Sequence, residues 1–238
     1  MGTNYDASFL SAITESFKKF LDCGTSRSTA KLKPLHGQIA KDLQEKLGSE
    51  YTILAQGFGN DREGSIRGRY VEKRVDITIL KGNMPIAGLG VKFVMQNYSQ
   101  NSINYFEGML GETANIRCAA CPYFQIFIIF DKLPYYKKNG DFTRWESFTN
   151  HNAAKYLALS QDNIETFLHT PNKTLIYVVH APDLPSICNR DDYLNQYLQM
   201  GDFSLKISKQ QYPDFGNSVI LNDYETFIEK VFHTVKAL

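Results

Sequence analysis

An uninterrupted, mostly apolar run of eight residues, Tyr123–Phe130, limits most strongly how this chain can fold. The run lies between Pro122 and Asp131, and it is rich in aromatic and β-branched side chains. Its length and composition predict a strand rather than a helix. It does not alternate between apolar and polar residues, so we expect both faces of the strand to be covered. A central sheet with helices packed on it, an α/β fold, is therefore predicted.

The residues before this run predict an ordered set of elements. Apolar residues at helical spacing indicate helices, and alternating residues bounded by turn signals indicate strands. We expect helices over residues 7–22 and about 31–47, strands over 51–58, 70–80 and 84–94, and a helix ending near 117. The last two strands form a hairpin across the turn Lys81-Gly82-Asn83. From about residue 31 to 130 the predicted order is therefore helix, three-strand meander, helix and strand, in a central mixed sheet flanked by helices.

The remaining residues give weaker signals. We expect a polar loop through Gly140, a helix near 144–158, a strand at 174–179, an irregular segment at 181–217 with a helix at 191–197, and a last helix near 222–236. The sequence has no internal repeat and no evident linker. It is interpreted as one α/β domain over 1–238, in which the part after about 131 is a C-terminal elaboration and a candidate specificity or dimer region.

Composition limits the class of protein. No apolar run approaches the roughly 20 residues that a membrane span needs, so we expect no membrane partner. The first residues lack the basic start and apolar run of a signal peptide, and four scattered cysteines imply no disulfide framework. A reducing, cytoplasmic setting is therefore expected. The net charge of +1 does not indicate indiscriminate binding to polyanions. Two basic groups are either phosphate contacts or ordinary solvated surface: Arg62, Arg67, Arg69, Lys73 and Arg74, and Lys18, Lys19, Arg27, Lys31 and Lys33.

Three charged residues in apolar surroundings indicate a chemical site. The period of two in a strand places Asp76 and Lys92 on the same side of the predicted hairpin. In the helix that follows, a stripe of Ile103, Glu107, Leu110 and Ala114 predicts that Glu107 faces the sheet and that Glu112 lies on another side. Carboxylate oxygens hold hard divalent cations, and a lysine can orient a water or stabilise a developing negative charge. The alternative is an ordinary hairpin with one buried ion pair between Asp76 and Lys92.

This pattern resembles the PD-(D/E)XK nuclease superfamily, whose motif is an acid followed, further along, by acid-x-Lys. Asp76 matches the first acid, and Gly90-Val91-Lys92 takes the position of acid-x-Lys. Gly90 departs from the motif, because it stands where the second acid should be. The restriction enzymes that cut around CCGG cores are similar in this respect, since a Glu on the next helix replaces the missing acid. Glu107 is the matching residue here, and Glu112 is the reserve acid.

The resemblance implies a Mg²⁺-dependent type II restriction endonuclease that acts on double-stranded DNA as a homodimer. It implies that Asp76, Glu107 and the carbonyl of Val91 hold Mg²⁺ and that Lys92 is catalytic. The predicted DNA-binding residues are Arg69, Arg74, Gln96, Asn97, Ser99, Gln100 and Asn101. The amide-rich segment among them either contacts DNA or caps the helix through Asn101 or Ser102. Two other readings stay open: a catalytically degenerate protein that binds nucleic acid or a protein partner, and a repair or phage-type nuclease of loose specificity.

Overall fold

A computed structural model describes residues 4–24 and 30–238. The helices are α1 Tyr5–Cys23, α2 Lys33–Leu47, α3 Tyr98–Arg117, α4 Asn150–Ser160, α5 Arg190–Met200 and α6 Tyr224–Lys236, and a 3-10 turn at Ala30–Leu32 precedes α2. The strands are β1 Tyr51–Ala55, β2 Gly64–Arg67, β3 Glu72–Val75, β4 Ile77–Lys81, β5 Met84–Val94, β6 Tyr123–Phe130, β7 Lys132–Tyr136, β8 Phe142–Ser147, β9 Lys173–His180, β10 Lys206–Ile207 and β11 Val219–Leu221. Residues 1–3 and 25–29, including Arg27 of the second basic group, lie outside the described residues.

The central sheet has the order β1-β4-β5-β6-β9-β10, with β11 also paired to β9. Its first three strands are antiparallel neighbours, and β5, β6 and β9 run parallel, so the sheet is mixed. The predicted order of helix, three-strand meander, helix and strand is confirmed by α2, β1, β4, β5, α3 and β6. Every residue of β6 is buried, as its continuous apolar run predicts.

Helices cover both faces of this sheet. On one face Phe124 of β6 meets Phe227 of α6, and on the other Phe127 meets Tyr156 of α4. The ring of Phe9 from α1 stacks on Tyr224 of α6 with centroids 3.8 Å apart. Full burial of each such side chain contributes about 1.5–3 kcal/mol, so these aromatic contacts help to hold α1 and α6 on the sheet. The N-terminal and C-terminal helices α1 and α6 therefore contribute to one core.

The structure corrects one strand prediction. The strand predicted over 70–80 is divided at Asp76 into β3 and β4. β3 leaves the central sheet and pairs with β2, so residues 59–68, between the predicted strands 51–58 and 70–80, contribute one strand of a separate hairpin. This β2–β3 hairpin is inserted between the first two strands of the meander. Asp76 therefore lies at a bend rather than in the middle of a strand.

A second correction concerns the polar region after β6. The predicted loop through Gly140 and the start of the predicted helix at 144 form a second hairpin, β7–β8. Aromatic contacts stabilise this hairpin, because Phe142 and Trp145 lie against each other and Trp145 contacts Tyr193 of α5. The helix α4 begins only after Thr149, whose side chain and that of Asn152 form a reciprocal cap. The segment predicted to be irregular at 181–217 contains α5 and β10.

Of the helices that the structure describes, none combines the length and apolar character needed to cross a membrane.

Candidate active-site cleft

A cleft of about 730 Å³ opens between the sheet, α3 and the β2–β3 hairpin. Its floor follows from the strand register, since Gly90 of β5 pairs with Gln125 of β6 and Lys92 pairs with Phe127. Side chains two residues apart share a face, so these positions point to the same side of the sheet. Asp76 and Lys92 both line the cleft. The prediction that the hairpin brings these two residues to one side is therefore confirmed.

Asp76 lies at the bend between β3 and β4, where its carboxylate reaches β5. Its Oδ2 atom accepts a hydrogen bond of 2.7 Å from the backbone amide of Val91. Burial raises the pKa of Asp76 to about 6, the Val91 amide opposes this shift, and the nearby Glu112 adds to it. The Oδ1 atom has no hydrogen-bond partner within the described chain, so one carboxylate oxygen is free to bind a ligand in the cleft.

Lys92 lies on the same face but does not pair with Asp76. Among the described residues no direct ion pair joins the two side chains, so the contact that the alternative of a buried Asp76–Lys92 pair requires is not formed, although Asp76 still raises the pKa of Lys92. The Nζ atom of Lys92 lies 4.1 Å from the centre of the Tyr105 ring of α3. Burial lowers the pKa of Lys92, and Asp76 opposes the shift. Lys31, in the turn before α2, also lines the cleft and supplies a second cation near Lys92.

Glu107 is placed differently from the prediction. It is exposed, and it is not one of the residues that line the cleft. Ile103, four residues earlier in the predicted stripe, is also exposed. The face of α3 that lies over the sheet instead carries Tyr105, Met109, Glu112 and Ile116, which have the same helical spacing about two residues further on. The prediction that Glu107 faces the sheet is therefore wrong.

Glu112, the reserve acid, lies in the cleft. Its Oε1 atom accepts a hydrogen bond of 2.5 Å from the hydroxyl of Tyr123, and its Oε2 atom lies 2.9 Å from Nζ of Lys73. Burial raises the pKa of Tyr123 well above its usual value, so the phenol stays protonated and donates to Glu112. The cleft thus contains two carboxylates, Asp76 from the sheet and Glu112 from the helix that covers it.

The packing around Gly90 leaves no room for a larger side chain at this position. A Cβ atom added at Gly90 would lie 2.4 Å from Oη of Tyr123 and 2.7 Å from Oε1 of Gln125. Both neighbours are buried side chains of β6, so they occupy the volume that a larger residue at position 90 would need. Sequence reasoning missed Tyr123 and Gln125. Their polar atoms within an otherwise apolar buried run were the available signal.

The residues of the amide-rich segment at the start of α3 have different roles. Asn97 donates to the carbonyl of Tyr136 and accepts from its backbone amide, so it joins α3 to β7. Ser99 donates from both its backbone amide and its hydroxyl to the carboxylate of Glu146 on β8. Gln96 and Asn101 line a smaller pocket of about 220 Å³ next to Lys92, and Gln100 is exposed. DNA contacts by these residues stay a prediction, and the geometry leaves Gln96, Gln100 and Asn101 freest to make them.

The predicted capping role of Asn101 or Ser102 is wrong, because α3 begins three residues earlier than Asn101, at Tyr98. The N-cap position belongs to Asn97, whose side chain is bound to β7 and makes no cap hydrogen bond. The two predicted basic contacts lie on the β2–β3 hairpin. Arg69 and Arg74 are both exposed, and Arg74 lies at the limit of an ion pair, 4.0 Å from Glu63.

The donor groups in the cleft fit one common mode of Mg²⁺ binding. The described residues contain no group of three or more His, Cys, Asp or Glu side chains arranged to hold a metal ion. Mg²⁺ commonly binds through one or two carboxylates and completes its shell with water and substrate phosphate. Asp76, with one free oxygen, and Glu112 fit that mode of binding. The carbonyl of Val91 faces the same neighbouring strand as its amide, toward Asp76, because both groups of a strand residue point to one edge.

No known family model matches this chain, and neither a curated protein nor a solved structure matches it.

Proposed function

We propose that this chain is a Mg²⁺-dependent endonuclease of double-stranded DNA with a restriction-endonuclease-like core, and specifically a type II restriction enzyme. The observation that carries the proposal is the meeting of Asp76, Lys92 and Glu112 in one cleft, each from a different element. This set corresponds to the acid, the lysine and a relocated second acid of the PD-(D/E)XK pattern. The relocated acid is Glu112 rather than Glu107, since only Glu112 lines the cleft.

Asp76 and Glu112 would hold Mg²⁺, with the carbonyl of Val91 as a further ligand. The ion, when bound, supplies charge neutralisation at the scissile phosphate and lowers the pKa of a water. Glu112 is pre-positioned for this role by Tyr123, which holds one carboxylate oxygen. Its other oxygen pairs with Lys73, whose side chain is partly exposed. Such a pair contributes about 1 kcal/mol or less, so a ligand can displace Lys73 at little cost.

Lys92 would orient the attacking water or stabilise the charge that grows on the phosphate oxygens. Its amine is held over the ring of Tyr105, which limits the directions it can take. Burial makes the charged form of Lys92 less stable, and bound phosphate would restore that stability. Lys31 lines the same cleft as Lys92 and would add positive charge near the same phosphate group. Both cations would favour a negatively charged substrate over a neutral one.

A cleavage assay tests the proposal. The protein is incubated with long DNA of mixed sequence and Mg²⁺, and the products are separated by size. Discrete fragments support a restriction enzyme, and a smear supports a nuclease of loose specificity. Lys92→Ala should reduce the rate about 100-fold or more, whereas Lys81→Ala, at the far end of the same hairpin, should leave it unchanged.

A second candidate is a catalytically degenerate protein that keeps the fold and binds nucleic acid or a protein partner. It is favoured by Gly90, whose missing acid cannot be replaced without moving Tyr123 and Gln125, and by the two partners that Glu112 already has. DNA that stays intact with both Mg²⁺ and Mn²⁺ would select this candidate. A homodimer that reads a palindromic site is proposed with the restriction enzyme and is tested by measuring the mass of the protein in solution.

A further inference from the structure

The turn of the β2–β3 hairpin carries two adjacent, exposed apolar side chains. Tyr70 is 75% exposed and Val71 is 57% exposed. Adjacent exposed apolar side chains at one tip are unusual, since such residues are normally scattered singly over a surface. The tip lies at the mouth of the cleft, because Val71 and Lys73 line the cleft and Asp76 follows three residues after Lys73.

The backbone of this tip is fixed by one buried side chain. Asn115 of α3 accepts hydrogen bonds from the amides of Tyr70 and Val71, at 2.9 and 3.2 Å, and donates to the carbonyl of Val71 at 3.0 Å. The amide of Arg69 donates to the backbone carbonyl of Asn115 at 2.7 Å. A Cβ atom added at Gly68 would lie 2.1 Å from Asn115, so the turn packs closely on the helix. The tip is therefore pre-organised, which reduces the entropy that it would lose on binding.

The charged residues around the tip indicate which class of partner it can bind. Arg67 and Arg69 precede the tip, are exposed, and form no ion pair within the described part of the chain, whereas the exposed Glu72 follows it and lies opposite Arg67 in the hairpin register. Arg74 is exposed on the same hairpin. An apolar tip next to two unpaired arginines suits a partner with apolar surfaces beside phosphates, and nucleic acid has that composition. Apolar side chains that enter between base steps, with arginines on the adjacent phosphates, are a known mode of DNA binding.

We infer that Tyr70 and Val71 contact the bases of a DNA duplex whose backbone occupies the cleft, while Arg67 and Arg69 hold the flanking phosphates. The inference rests on the proposed function for its DNA partner and adds a base-contacting element to it. Tyr70 stacks on a base, and Val71 packs beside it on the side of the cleft. The hairpin thereby positions the strand that passes Asp76.

Two measurements test this inference in a Lys92→Ala background, which prevents cleavage when Mg²⁺ is present. The first is the affinity for a pool of short random duplexes. Tyr70→Ala should weaken binding about tenfold or more, and Tyr70→Phe, which keeps the ring, should bind nearly as well as the parent. Met84→Ala is the matched control: Met84 is 66% exposed in the turn of another hairpin, at the opposite end of β5 from the cleft, and its loss should change nothing.

The second measurement is photo-crosslinking to duplexes in which 5-iodouracil replaces thymine, with the adduct located by mass spectrometry. We expect an adduct on Tyr70. Arg67→Ala and Arg69→Ala should each reduce the salt dependence of binding by about one unit of slope, and Tyr70→Ala should leave that slope unchanged. Equal affinity of Tyr70→Ala and the parent, or no adduct at Tyr70, would overturn the inference.

The outcomes separate this inference from the proposed function. If the parent binds no DNA, both are wrong. If the protein binds DNA through Tyr70 but the form with Lys92 cuts none, the nuclease proposal fails and the base-contacting tip stands. If the protein cuts DNA and Tyr70→Ala cuts and binds equally well, only the tip inference fails.

Discussion

The amide of Val91 donates a 2.7 Å hydrogen bond to Oδ2 of Asp76, and this is the one hydrogen bond that the carboxylate receives within the described chain. A half-buried carboxylate with one hydrogen-bond donor is less well solvated than one in water. Burial accordingly raises its pKa to about 6 from an ordinary value of 3.8. The folded protein therefore holds a proton on Asp76 at a pH where the unfolded chain has lost it, and the folded state loses stability as the pH rises from about 4 to about 6.

Asp76→Asn is therefore expected to stabilise the metal-free protein above about pH 6 and to leave its stability near pH 4 unchanged. A shift of about two pKa units corresponds to about 3 kcal/mol, and water in the open cleft reduces this to about 1–3 kcal/mol. Urea unfolding of both proteins across this range measures the difference. Asp42 and His36 also titrate with shifted pKa values, so only the difference between the proteins isolates Asp76. A difference that does not vary with pH would contradict the prediction.

If Asp76 binds Mg²⁺ as proposed, the ion should restore the stability that is lost when Asp76 ionises, because the ion and the proton compete for one carboxylate. We expect Mg²⁺ to raise the unfolding temperature of the unmodified protein more at pH 8 than at pH 5. Asp76→Asn should show little of this rise at either pH. Thermal unfolding with and without Mg²⁺ measures it without any need for activity. An equal rise in both proteins would place the ion elsewhere.

The two helix acids provide a matched pair of variants. Glu112→Gln should lower the rate of DNA cleavage about 100-fold or more and raise the Mg²⁺ concentration needed by at least about tenfold, because it removes one of two carboxylates from the cleft. Glu107→Gln, on the exposed side of the same helix, should cleave within about twofold of the unmodified rate. Cleavage rates of both variants, measured over a series of Mg²⁺ concentrations, show which of the two acids is needed. The reverse result would restore Glu107 as the relocated acid.

For Gly108 and Gly111 of α3 we predict that a substitution changes stability and cleavage in opposite directions. Both line the cleft, and an added Cβ at either would meet no atom of another part of the described chain within 4 Å. Packing therefore does not require glycine there, although glycine costs a helix about 1 kcal/mol relative to alanine. Gly108→Ala should stabilise the fold by about that amount. If a DNA strand approaches the helix backbone, the same methyl group should reduce cleavage about tenfold.

Glu107→Ala is the control for the glycine variant, since it changes the neighbouring exposed position without entering the cleft. Its cleavage rate should be unchanged. A Gly108→Ala protein that is more stable and equally active would show that nothing bulky passes this side of the helix.

The crowding at Gly90 predicts that the effects of substitutions at positions 90 and 123 on stability are not additive. Gly90→Ala should destabilise the fold by about 1–3 kcal/mol, because the new methyl group meets Tyr123 Oη and Gln125 Oε1. Tyr123→Phe removes the closer of these atoms, so the double variant should lose less than the sum of the two single losses, by about 1 kcal/mol. Urea unfolding of the four proteins measures the coupling. Strict additivity would mean that Tyr123 does not limit the space at position 90.

Local patterns in the sequence determined much of the fold. The start of β5 follows from the glycine turn directly before it, and the bounds of β6 follow from its apolar run, so both signals are local in the sequence. The meeting of Asp76 and Lys92 on one side follows from the period of two, which any strand must obey. These features depend on neighbours along the chain, and one sequence is enough to derive them.

The choice between Glu107 and Glu112 depended on tertiary structure. α3 carries two stripes of equal helical spacing, one with each acid, and nothing in the helix alone decides which stripe packs against the sheet. The bend at Asp76 likewise depends on β3 leaving to pair with β2. The volume beside Gly90 is filled by side chains of β6, more than thirty residues later in the chain. Sequence periodicity determined which residues share a face, and only packing between distant segments decided which faces meet.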